Sequence, residues 1–124
     1  MVTTTEMCRL AKCSYRQLDY WVRTGVVRPH HDARGSGSRR AFSPRQVPIV
    51  RMITDLAALG ATCPVLSAAA DRAELIPSTE WLGLAYVDEV GNLERVHPGG
   101  SCWVVDMTRC SEGDREVTRQ LVLA

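Results

Sequence analysis

Two helix-start sequences near the N-terminus lie so close together that the chain between them can only be a tight helix–turn–helix. Thr3-Thr4-Thr5-Glu6 and Ser14-Tyr15-Arg16-Gln17 both fit S/T-x-x-E/Q, and their hydroxyl residues stand eleven positions apart. In this pattern the hydroxyl accepts from a free backbone N–H three residues on, and the Glu or Gln side chain reaches back to the cap. A first helix from Thr4, with Met7, Leu10 and Ala11 inward, must therefore end near Lys12. A second runs from Tyr15 to Thr24 and stops at Gly25, where a residue without Cβ suits the left-handed position after a helix. Leu18, Trp21 and Val22 form its packed side; Tyr15, Arg16, Asp19, Tyr20 and Arg23 fall on the other by helical spacing.

The capping pattern returns at Ser43-Pro44-Arg45-Gln46, ahead of Val47, Val50, Ile53, Leu56 and Ala57 at helical spacing, with Gly60 closing the run. Pro48 conflicts with a helix capped at Ser43, because it would remove a ladder hydrogen bond. Either residues 44–47 form a loose turn before a helix from Pro48, or the helix is kinked. Thr62 is placed to cap a fourth helix through Val65, Leu66, Ala69 and Ala70, ending near Leu75. Between the second and third helices, Val26-Val27-Arg28-Pro29 reads as extended. Residues 30–40 read as a polar, glycine-containing loop and Ala41-Phe42 as a return strand, which together predict a β-hairpin wing with an arginine-rich tip.

Pro77 marks a boundary, after which the period changes. Trp81–Val87, Leu93–His97 and Cys102–Met107 read as three strands around turns at 88–92 and 98–100, and the last ten residues as a short helix rather than a strand. The expected fold is α+β: a winged helix-turn-helix over residues 1–76 and a small strand-rich segment over 77–124.

Net charge is only +1, but it is divided. Residues 1–60 hold ten Lys and Arg against four Asp and Glu, whereas residues 61–124 hold five against ten. A basic half joined to an acidic half points the first half at a polyanion. No run of eighteen apolar residues predicts a membrane span, and Met1–Glu6 has neither the basic nor the apolar part of an export signal. Five cysteines, none in a Cys-x-x-Cys pair, then read as reduced thiols in a cytoplasm.

The ordered pieces resemble the MerR family of winged helix-turn-helix regulators, and especially its actinobacterial members. The resemblance rests on Thr3-x-x-Glu6, on Ser14-Tyr-Arg-Gln-Leu-Asp-Tyr-Trp21-x-Arg-Thr-Gly25-x-x-x-Pro29, on Arg34-Gly-Ser-Gly-Ser-Arg-Arg40-x-Phe-Ser43, and on Leu56-x-x-x-Gly60. It covers residues 3 to about 74. It implies a sequence-specific, double-stranded DNA-binding transcriptional regulator, cytoplasmic and nucleoid-associated. By it, Tyr15, Arg16 and Gln17 head a recognition helix in the major groove. Tyr20 and Arg23 fall at positions near phosphate, and Arg34, Arg39 and Arg40 belong to the wing. Phe42 stands where a Tyr is common, and Asp19 where other members carry Arg; an acid there would accept from cytosine or orient Arg16 or Arg23.

The family's long dimerisation helix has no counterpart after Pro77, where no heptad pattern occurs. A homodimer is expected through the C-terminal strands instead, using Trp81, Leu84, Tyr86, Trp103 and Val105. Two other functions stay open at this level: an architectural role like that of phage excisionases, and a protein-interaction module whose acidic C-terminal segment recruits a partner. Cys102 and Cys110, with seven residues between them, resemble the spacing of metal-sensing members. On one continuous strand they would lie too far apart to share an ion, so no metal and no cofactor is expected. No Gly-x-Ser-x-Gly, His-Glu-x-x-His or similar constellation suggests an enzyme.

Overall fold

The computed structural model describes residues 1–31 and 40–112. Strand β1 (Val2–Thr3) leads directly into helix α1 (Thr4–Ala11). Thr3 Oγ1 accepts the Glu6 N–H at 3.1 Å and shares its proton with the Glu6 carboxylate at 3.2 Å. Lys12 ends α1 in the left-handed region at φ 59°, and the Cys13 N–H turns back to the Cys8 carbonyl at 3.1 Å. Ser14 then starts helix α2 (Tyr15–Arg23) with the full reciprocal cap. Its hydroxyl accepts the Gln17 N–H at 3.1 Å, and Gln17 Oε1 accepts the Ser14 N–H at 2.9 Å. Both expected helices therefore form, joined by the turn that their caps require.

Strand β2 (Ala41–Phe42) pairs with β1, Val2 opposite Phe42 and Thr3 opposite Ala41. Residues 26–29 were expected to be extended but form no strand. The Val27 N–H is spent on the Trp21 carbonyl at 3.1 Å, which folds this stretch onto the end of α2 and buries Val26 and Val27. The pairing falls further on, where His31 and Ala41 exchange both backbone hydrogen bonds at 3.0 and 2.9 Å.

Helix α3 (Gln46–Ala58) resolves the conflict at Pro48. Ser43 does not cap the helix through its third N–H: its hydroxyl takes the Arg45 N–H at 3.3 Å, while Gln46 Oε1 takes the Ser43 N–H at 2.8 Å. The helix thus begins two residues later than a Ser43 cap implies, and Pro48 falls in its first turn, where the N–H has no intrahelical partner to lose. Helix α4 (Cys63–Ala73) follows Thr62 and has Pro64 in its own first turn.

A three-residue helical turn at Ser78–Glu80 precedes an antiparallel sheet of β3 (Leu84–Val87), β4 (Leu93–Glu94) and β5 (Trp103–Asp106), in the order β4-β3-β5. All three strands are shorter than expected. The third stops at Asp106 because its carboxylate accepts the Arg109 N–H at 3.1 Å and so caps a helical stretch over residues 107–112. Cys102 and Cys110 therefore do not lie on one continuous strand. The expected apolar face is also divided: Ala85, Val87 and Val105 point inward, whereas Leu84 and Val104 are exposed on the opposite face. The last ten residues, expected as a helix, lie outside the described ones.

One apolar core runs through both parts of the chain. Met7, Leu18, Phe42, Val50, Ile53 and Leu56 share it with Ala85, Val87, Val105 and Met107. The seam is fitted closely at Gly91, where φ is 83° and a Cβ would come within 2.6 Å of the Ala68 Cβ. Trp103 Nε1 donates to the Leu59 carbonyl at 3.3 Å, and Arg109 pairs with Asp55 at 3.2 Å.

Candidate nucleic-acid interface

Leu18 and Trp21 anchor α2 in the core, which turns Tyr15, Arg16, Gln17, Tyr20 and Arg23 outward. Tyr15 is 63% and Tyr20 49% exposed, high values for aromatic side chains and suited to a surface that meets a partner. Gln17 has its carbonyl oxygen committed to the Ser14 cap, so this residue shapes the start of the helix as well as facing outward. Tyr20 receives a long contact from the Cys63 thiol at 3.7 Å. That neighbour pushes the phenol's ionisation upward.

Asp19 does not stand alone on this face. Its Oδ1 lies 2.7 Å from Arg40 Nη1, and its Oδ2 lies 2.9 Å from Arg23 Nε. The Arg40 hydrogen bond, followed by the charge of Arg23, holds the carboxyl below the usual carboxylate range. Of the three arginines expected on a wing, Arg40 is thus joined to the second helix; Arg34 and Arg39 lie outside the described residues. Sequence reasoning missed three partners. Arg40 reaches Asp19 from 21 positions away, Cys63 comes to Tyr20 from 43 positions away, and β1, at the start of the chain, supports β2.

Among the described residues, no group of three or more His, Cys, Asp and Glu is placed to hold a metal ion. Cys102 approaches His97 Nε2 at 3.7 Å. Cys110 is buried beside Asp55, and burial followed by that carboxylate pushes its thiol up to about 12. Among the described residues, no helix is long and apolar enough to cross a membrane.

A family model described as MerR HTH family regulatory protein matches residues 2–72. The chain belongs to the MerR family. Its relatives include proteins described as uncharacterized HTH-type transcriptional regulators from Mycobacterium bovis and Mycobacterium tuberculosis. Each is 37% identical over 66 residues, which is 52% of this chain and 29% of the relative's length. The chain therefore spans less than a third of the length of these relatives. The MerR match takes in β1, α1, α2, β2, α3 and α4 up to its penultimate residue, and it ends before the three-stranded sheet.

Proposed function

We propose that this MerR-family chain is a sequence-specific regulator of transcription that binds double-stranded DNA in the cytoplasm, on the nucleoid. The observation that carries this reading is the outward face of α2, where Tyr15, Arg16, Tyr20 and Arg23 stand on a rigidly capped helix beside Arg40. A helix of this exposure fits the major groove, which alone presents a distinct donor and acceptor pattern for each base pair. Tyr15 and Arg16, with the remaining amide of Gln17, lie at its start, nearest the base edges. Tyr20, Arg23 and Arg40, with Arg34 and Arg39 of the wing, meet the flanking backbone. Phosphate contacts supply most of the affinity, and the start of the helix supplies the choice of sequence.

Residues 1–76 carry the DNA contacts in this reading, while residues 77–124 serve assembly. Leu84 and Val104 leave an apolar outer face, and β4 and β5 are sheet edges, which pair readily with a second copy. Trp81 and Val105, first expected on that face, are buried, and Trp103 is half-buried against the core, so none of the three contributes to it. No reaction is proposed.

Fluorescence anisotropy on a duplex selected by the chain from a random library, against a random duplex, tests the reading. Arg16→Ala is expected to cost about 1–3 kcal/mol on the selected duplex and to relax preference at one position. Arg23→Ala is expected to weaken both duplexes and to lower the salt slope by about one. Equal losses on both duplexes for Arg16→Ala would remove it as a base reader.

A further inference from the structure

An acid on a surface that meets phosphate needs an explanation, and here the geometry supplies one. Both oxygens of Asp19 are occupied, one by Arg40 and one by Arg23. The two arginines differ in setting: the Arg40 side chain is 17% exposed and that of Arg23 68%. A carboxylate that reads cytosine must present an oxygen to the exocyclic amine, but the oxygens of Asp19 already face guanidinium groups of its own chain. Arg40 lies 21 positions from Asp19 and immediately precedes β2. β2 is paired with β1, β1 leads into α1, and α1 leads through the turn back to α2. The Asp19–Arg40 contact therefore closes a ring of connections around the helix-turn-helix.

Resting on the DNA reading above, we propose that Asp19 is a positioning residue rather than a base reader: it fixes the register between the groove-facing helix and the arm that carries Arg40. With Asp19 in place, the two arginines are held at a set spacing, and Arg23, engaged through Nε, keeps its terminal amino groups as donors. The start of α2 then meets base edges only when Arg23 and Arg40 are seated on the backbone. Without Asp19 the cluster gains positive charge and loses its fixed spacing. Affinity for a random duplex is kept or raised, and discrimination falls.

The test compares the wild-type chain of 124 residues with Asp19→Asn, Arg40→Gln and the double variant. Each is measured on a duplex selected by the wild-type chain and on a random duplex of equal length, with thermal unfolding as a control for folding. Asp19→Asn is expected to lower the selected-to-random affinity ratio about tenfold, a coupling of ordinary size for residues in one network. Binding to the random duplex should be unchanged or tighter. The double variant should lose no more discrimination than the worse single one. An unchanged ratio in Asp19→Asn, or strictly additive losses in the double variant, would overturn the positioning role. So would a change of preference confined to a single base pair, which would make Asp19 a reader. Failure of the wild-type chain to bind any duplex would defeat the DNA reading itself, a result separable from all of these.

Discussion

At the residue scale, burial has set the chemistry of the thiols. Cys13 is pushed up to about 12 by burial and then by its neighbour Cys8, and Cys110 is pushed up to about 12 by burial and then by Asp55. A thiol raised in this way favours the folded state while the unfolded chain is also protonated. Its contribution is intact below the ordinary value of 9.0 and is lost as pH rises from there toward about 12. Urea midpoints measured at increasing pH should therefore be level to about pH 8 and fall above it. Ala at either cysteine should reduce the fall. Iodoacetamide at about pH 8 should spare Cys13 and Cys110 in the native protein and label the partly exposed Cys63 and Cys102 first. Early labelling of Cys110, read by mass spectrometry, would contradict the buried environment beside Asp55.

At the element scale, the capped starts of the first two helices explain why this part of the fold could be read directly from the chain. Each cap is a local interaction spanning three residues, and two of them in close succession leave one arrangement. Ser14→Ala is expected to cost about 1 kcal/mol of stability, the usual loss of a serine cap, and to unsettle Tyr15 and Arg16 at the start of α2. Thermal unfolding with and without duplex measures both effects, and an unchanged melting temperature would mean that the cap contributes nothing. Other elements were less legible for identifiable reasons. β1 is two residues long, too short to show alternation. Val26 and Val27 have the side chains of a strand, but their backbone serves the end of α2. The helical stretch from residue 107 was masked by the apolar alternation running through Met107, although Asp106 followed by Arg109 held the capping signal. Of the candidate site, the outward face of α2 followed from periodicity alone. The Asp19–Arg40 pair did not, since no local pattern relates residues 21 positions apart.

At the scale of the whole molecule, the change of period at Pro77 coincides with a change of architecture but not with a break in the core. The sheet lies on α3 and α4, and the turn at Gly91 touches α4 with no room for a side chain. Gly91→Ala is expected to destabilise the chain through both the clash with Ala68 and the left-handed backbone, by about 1 kcal/mol or more. A small loss of duplex affinity should follow only near the melting temperature. A melting temperature equal to that of the parent would show that the turn yields without cost.

The three indoles fall on both sides of this seam. Trp21 sits on α2, while Trp81 and Trp103 belong to the part after Pro77, and Trp21 and Trp81 are each only 4% exposed. The native chain should accordingly emit at short wavelength and shift to the red on denaturation. Phe at positions 81 and 103 leaves a single emitter behind the outward face of α2, and Phe at position 21 leaves the two emitters beyond the seam. Two such variants, melted separately, give independent optical records of the two halves. Parallel shifts of wavelength with temperature would reveal a chain that comes apart in a single step, with the colour of Trp21 changing only when that of Trp103 does.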